Sequence, residues 1–428
     1  MLTKRFLLIM QITALLLSVL LYPVPCQSYS PLTHEAIVDS AWKSNIVPLL
    51  RARFPNATDD DILHAKAYAY GGSILQDMGY YPHGSKFFSD LTHYFRSGDF
   101  VVALLRDSHD VNEYAFALGA LAHYASDNNG HHLATNLAVP LLYPKLRKKY
   151  GKVVTYEDDP IAHVKTEFGF DVLEVAQGRY TAENYHNFIG FNVSMPLLER
   201  AFFETYGLEL KAILPDEERS MNSYRNTVGG LLPKATRIAW ALKKNEIEKD
   251  MPGITRKKFL YNLSRADYEK DWGKNYQPPT FTDKFLAFLT HFIPKIGPLR
   301  ILEFRTPTSA AEKLFESSFN VSLDRYNSAL MEVSKNQLKL ANSNFDVGEI
   351  TPRGQYHLSD TTCALLLDRL SANQFATTSL PLRADLIAYF SSPDRNPGKG
   401  QNLKADHKIQ EQLHQLAQSS VTTSLNTQ

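Results

Sequence analysis

The chain has 428 residues, 44% of them hydrophobic and 21% charged, with a formal charge of +1. This is an ordinary globular composition, which excludes disorder throughout, and the length suits two or three domains with a sizeable core. The near-zero charge excludes a global basic field for nucleic acid.

In chain order, Lys4 and Arg5 precede FLLIMQITALLLSVLL (6–21), sixteen residues without a charge. A basic start followed by a short apolar run has the pattern of a secretory signal, and the run is slightly short for a membrane span. We read 1–28 as a signal peptide cut between Ser28 and Tyr29, after the small residues Cys26 and Ser28. The product is then exported, periplasmic or secreted; uncleaved, the segment is a membrane anchor. Cleavage removes two bases and no acid, taking the formal charge from +1 to −1. It also removes Cys26 and leaves Cys363 alone. No internal disulfide or thiolate metal site can then form, so any metal is held by His, Asp, Glu or backbone.

Apolar periodicity predicts a helix over 34–53, with Thr33 as its N-cap, and another over 59–75 after Thr58. Residues 76–98 read as an irregular loop with short turns. Helices follow at 97–105, 110–127, 131–149 with a break at Pro140, 158–177, 181–189, 193–212 and 217–248. MPGITRKK (251–258) marks a seam, beyond which 255–271, 281–292, 307–342, 358–372, 381–391 and 402–417 read as helical. No two-residue alternation is sustained, so the expected fold is all-α. Residues 29–250 are expected to form the functional domain, and 251–428 a helical C-terminal region carrying no readable motif.

Nine of the fourteen histidines lie within 34–163, under a third of the chain. The stretch HYASDNNGHH (123–132) follows the apolar AFALGAL (115–121). His123 and Asp127 are four apart, so they share a helix face about 6 Å apart along its axis. His163 and Glu167 repeat the spacing. A pair of this kind is ordinarily a surface ion pair. The apolar context of His123 implies burial instead, which demands a hydrogen-bond partner or a metal. If the helix continues through Asn128–Gly130, His131 returns to the face of His123 and Asp127; if it ends there, these being poor helix residues, either His131 or His132 can turn toward the site. Upstream stand Asp77 in GGSILQDMGYYP, His93 in FSDLTHYF and His34 in YSPLTHEAI. Taken singly, Asp77 reads as a turn residue and His93 as a packed histidine.

Taken in order, these pieces resemble the zinc-dependent phospholipase C and S1/P1-type nuclease group, over roughly residues 29 to 210. That group starts its mature chain with an aromatic residue, usually Trp and here Tyr29, and a His follows five positions on, here His34. An Asp in a Gly/aromatic loop comes next, here Asp77, then His93, then H-x-x-x-D at His123 and Asp127. A nearby His and H-x-x-x-E at His163 and Glu167 complete the set. The four-residue step from Asp127 favours His131 over His132 and is similar to the glycosylphosphatidylinositol-specific phospholipase D branch.

The resemblance implies three zinc ions. Asp77, His93, His123 and Asp127 hold one. His34, Asp127 and the main chain of Tyr29 hold the second, and His131, His163 and Glu167 the third. It implies phosphodiester hydrolysis by a metal-bound hydroxide attacking phosphorus. Asp127 would bridge two ions, and Asp77 would be a ligand, a water-orienting group or a general base. The expected substrate is a phospholipid, met at a transient membrane surface, rather than nucleic acid. The alternatives are an S1/P1-like nuclease and a non-catalytic zinc-containing protein that binds lipid or protein. GYYPHGSKFF (79–88) is the expected substrate rim, with His83 at the surface.

Overall fold

The computed structural model describes residues 31–81, 83–177, 192–214, 216–226, 303–392 and 403–419. The leader at 1–28, Tyr29, the seam at 251–258 and the helices expected at 181–189, 255–271 and 281–292 lie outside these residues. Among the described residues the fold is all-α, and the one β-type pairing is an isolated bridge between Asn344 and Glu349. No helix among them is long and apolar enough to cross a membrane.

In the first half, α1 is Pro31–Ala41, a π turn spans Trp42–Ile46, and α2 is Val47–Arg53. Helix α3 is Asp59–Ser73, a 3₁₀ turn covers Leu75–Tyr80, α4 is Lys86–Tyr94 and α5 is Ser97–Arg106. Helix α6 is Val111–Gly130, followed by a π turn at His131–Thr135 and α7 at Asn136–Leu142. Then come α8 (Pro144–Tyr150), α9 (Pro160–Gln177), α10 (Met195–Tyr206), the single turn α11 (Leu210–Ile213) and α12 (Glu217–Asn226). The C-terminal helices are α13 (Ser309–Ser334), α14 (His357–Ser371), α15 (Leu380–Ser391) and α16 (Leu403–Gln418).

The core is built around α6. Asp110 caps this helix, accepting from the amides of Asn112 and Glu113 at 2.9 Å each. Every residue from Tyr114 to His123 is buried, so the helix is covered on all sides. Its closest neighbour is α3, and glycine permits the approach. A Cβ on Gly72 would stand 1.9 Å from the Phe116 carbonyl oxygen, and one on Gly119 2.0 Å from that of Ala69. The two backbones therefore touch, which the small residues of AYAYGGS and AFALGALA allow. Helix α13 covers another side of α6, where Tyr326 donates its hydroxyl to Leu118 O at 2.9 Å.

Four local expectations are corrected. Helix α1 begins at Pro31 rather than after a Thr33 cap. A proline's fixed φ suits a first helical turn, and Asp171 of α9 supplies the acceptor, taking Leu32 N at 3.2 Å and the Thr33 hydroxyl at 2.9 Å. The expected loop 76–98 contains the regular helix α4. Its aromatic and β-branched residues are weak helix formers, but burying Phe88 and Leu91 on one face outweighs propensity. The third correction concerns the end of α6, expected at residue 127: of the two courses left open the helix takes the continuous one through Asn128–Gly130, where Asn128 and Asn129 donate back to Tyr124 O and Ala125 O at 3.0 and 2.7 Å. Finally, the break expected at Pro140 falls at Tyr143. The Asn136 carbonyl, which Pro140 cannot use, is taken by Val154 N at 2.9 Å.

Candidate metal centre

Helix geometry places the donors. His123 and Asp127 occupy the last two turns of α6, and His163 and Glu167 the first half of α9. Asp77 lies on the 3₁₀ turn after α3, His93 near the end of α4, and His34 in the first half of α1. The π turn after α6 carries His131, and such turns recur at functional sites.

Two buried donor sets result. In the first, one donor atom each from Asp77, His93, His123 and Asp127 lie within 4.8 Å of one another. His93 Nε2 is 3.3 Å from Asp77 Oδ1 and 3.5 Å from Asp127 Oδ2, and His123 Nε2 is 3.0 Å from Asp127 Oδ2. The second set is His131, His163 and Glu167, again within 4.8 Å. His163 Nε2 is 2.8 Å, and His131 Nε2 3.5 Å, from Glu167 Oε1. Asp127 joins everything: its Oδ1 is 3.4 Å from His34 Nε2 and 3.8 Å from His131 Nε2. His132 is half-buried beside Gly348 and outside both sets. Tyr29, the remaining candidate, lies outside the described residues.

The ring orientations are fixed from behind. His93 Nδ1 meets Ser89 O at 2.7 Å, and His123 Nδ1 meets Ser73 O at 2.9 Å. A backbone carbonyl at Nδ1 holds the proton there and turns the Nε2 lone pair inward, the arrangement that metal-binding histidines use. The contact of α3 with α6 is thus also what supplies Ser73 O to His123.

Burial pushes the Glu167 carboxyl well above the usual range. Burial, with the His123 charge beside it, pulls His34 down to about 3. At His93, burial works against the charge, but the Asp127 and Asp77 carboxylates beside the ring outweigh it and push it up to about 10. At Asp127 burial is likewise outweighed, by His123 and His131, and the carboxyl sits well below its ordinary value.

Whether a metal fits can be read from the orphaned atoms. Both oxygens of Asp127, both of Glu167, both nitrogens of His163 and Nε2 of His123 are buried with no partner in hydrogen-bond geometry. Each such group costs about 1–3 kcal/mol, more when charged, so native interiors tolerate few. Imidazole nitrogens and carboxylate oxygens are the donors zinc prefers. The residues fit divalent zinc.

Two neighbours escaped the sequence reading. Asp346, between α13 and α14, places Oδ1 3.3 Å from His131 Nδ1. The Phe345 ring lies 5.2 Å from that of His93 and 6.0 Å from that of His123, roofing the first set. A lone Asp in the short polar run NFDVGE carries no spacing signal. Within the expected rim, Tyr80 is buried with its ring 5.7 Å from His93, while His83 is exposed.

An all-helical domain with a buried, carboxylate-linked histidine centre defines a class of metalloprotein. Residues 33–214 match the family described as zinc dependent phospholipase C. The matched stretch contains every donor from His34 to Glu167. No curated protein and no solved structure matches the chain, and the finer likeness to the phospholipase D branch has no support from these comparisons.

Proposed function

We propose that the chain is an exported, zinc-dependent phosphodiester hydrolase of phospholipase C type. The observation that carries this reading is Asp127, a buried carboxylate with both oxygens orphaned and four histidine nitrogens within 3.8 Å. In this reading Asp77, His93, His123 and Asp127 hold one ion, and His131, His163 and Glu167 another. His34 and Asp127 would hold a third, together with the carbonyl of Tyr29 and its α-amine, which cleavage of the leader would free.

Zinc supplies Lewis acidity toward phosphoryl oxygens and lowers the pKa of a water from 15.7 toward about 7. The protein does the rest. Asp127, with an oxygen facing each neighbouring set, would be shared between them. Asp77 belongs to one set only, which suits it to orient the attacking water and accept its proton. The helices hold these groups at fixed rise and angle, which preorganises the centre. Tyr80 and Phe345 cover the first set and limit water around it.

The test is metal analysis of the mature protein with three substrates side by side: a chromogenic phosphocholine ester, single-stranded DNA and a phosphomonoester. The expected result is bound zinc and turnover of the phosphocholine ester, abolished in Asp127→Asn and Asp77→Asn. DNA cleavage in its place would make the protein a nuclease. No turnover of any substrate by fully loaded protein would make it a binding protein.

A further inference from the structure

We infer that Asp346, far along the chain in the C-terminal region, is the positioning residue that fixes His131 for metal binding. The inference rests on the zinc reading above and extends it to a part of the chain outside the matched family region.

The backbone places Asp346 firmly. Asn344 closes a tight turn around it: Asn344 Oδ1 accepts Asp346 N at 2.9 Å, and Asn344 O accepts Gly348 N at 2.9 Å. Gly348 has φ +72°, a conformation that favours glycine, and its Cα side faces His132. The segment is tied to the N-terminal helices at three points. Ser97 Oγ donates to Ser343 O at 2.6 Å, Phe345 N to His93 O at 3.1 Å, and Asn136 Nδ2 to Asp346 O at 2.7 Å.

The carboxylate is then used asymmetrically. Its Oδ2 accepts Tyr156 N at 2.9 Å and the Tyr356 hydroxyl at 2.7 Å. That leaves Oδ1, buried and without an aligned hydrogen bond, 3.3 Å from His131 Nδ1. A carboxylate this close favours the imidazole proton on Nδ1. The Nε2 lone pair then faces Glu167 Oε1 at 3.5 Å and Asp127 Oδ1 at 3.8 Å. A histidine whose far nitrogen is held by a carboxylate is both oriented and made a better donor. Asp346 does for His131 what the Ser73 and Ser89 carbonyls do for His123 and His93.

Asp346→Asn tests this through tautomer chemistry. The amide oxygen must stay with the Tyr156 N–H and the Tyr356 O–H, so the NH₂ group faces His131 Nδ1. Two donors cannot face each other, so the His131 proton moves to Nε2, which can no longer bind a cation.

The experiment uses the full mature protein, stripped of metal and titrated with zinc alone against a chromogenic chelator, then with cobalt to read its visible absorption. The expected result is that Asp346→Asn weakens one class of bound ion by about 10–100-fold and alters the cobalt spectrum of that ion, the remaining ions being unchanged. Tyr356→Phe should weaken the same ion by a smaller factor. If Asp346→Asn binds zinc as tightly as the parent with an unchanged cobalt spectrum, the inference is overturned while the zinc reading stands. A purely structural Asp346 would give that result with only a lowered melting temperature. If Asp346→Asn does not fold, Tyr356→Phe decides, and unchanged affinity and spectrum there also overturn it. If the parent protein itself takes up neither metal, the zinc reading fails first and this inference falls with it.

Discussion

The imidazole of His34 lies flat on that of His123, with ring centroids 4.4 Å apart and planes 16° from parallel. Two stacked rings cannot both be charged at neutral pH without a large cost, and burial pulls His34 down to about 3. Helix α1 therefore brings a neutral His34 to Asp127 from one side, while α6 presents His123 from its own last turns.

What holds α1 in this position is Asp171 of α9, through Leu32 N and the Thr33 hydroxyl. Replacing it by Ala removes the acceptor at the start of the helix that carries His34. Asp171→Ala should cost about 1–2 kcal/mol, as loss of a cap does. It should also lower zinc content by one ion rather than all, read by a melting curve together with metal analysis.

Asp127 is shared, so its loss should not be confined to one ion. Asp127→Asn keeps the shape but leaves one oxygen where two are needed. We expect at least two ions to be lost, and turnover to fall by more than about 100-fold, beyond the cost of losing an outer partner. Metal analysis after exhaustive dialysis, paired with single-substrate kinetics, checks this.

Zinc uptake should release protons at pH 7. His93, held up at about 10 by Asp127 and Asp77 against burial, is charged in the metal-free protein, and a cation must displace that proton. Affinity therefore falls as pH falls. The raised pKa also stabilises the metal-free fold: that contribution is full below about 6.5 and is lost as pH rises through about 10. Calorimetric titration in two buffers of different ionisation heat reads the release directly. Equal heats in both buffers would refute it.

The contact of α3 with α6 joins stability to the metal site. A methyl at Gly119 would meet the Ala69 carbonyl oxygen at 2.0 Å, and a backbone atom cannot swing aside. Gly119→Ala should destabilise the metal-free protein by about 1–3 kcal/mol. Because Ser73 O, on the same helix, holds His123, zinc affinity should fall as well. Chemical unfolding of the metal-free chain and a chelator titration of the loaded one separate the two effects.

The parts of this centre legible in the sequence are the local ones. His123 with Asp127 and His163 with Glu167 need only helical spacing, which a run of letters records. The Thr58 cap of α3 is equally local: its hydroxyl accepts Asp61 N at 3.2 Å and its amide donates to Asp61 at 2.9 Å. Helix α4 was hidden because Phe88 and Leu91 favour it only once they are buried. The continuation of α6 past Gly130 depends on a π turn that no residue pattern announces. The least legible contact is Asp346 with His131, since the two meet only after α13 has packed along α6. Long-range contacts of this kind leave no periodicity behind.

The most direct test of the central claim is an anomalous-difference map, collected at the zinc edge from crystals of the mature protein. One peak is expected within Asp77, His93, His123 and Asp127, another within His131, His163 and Glu167, and a third beside His34 and Asp127. Crystals grown from zinc-reconstituted protein that show no peak within the reach of Asp127 would contradict the claim.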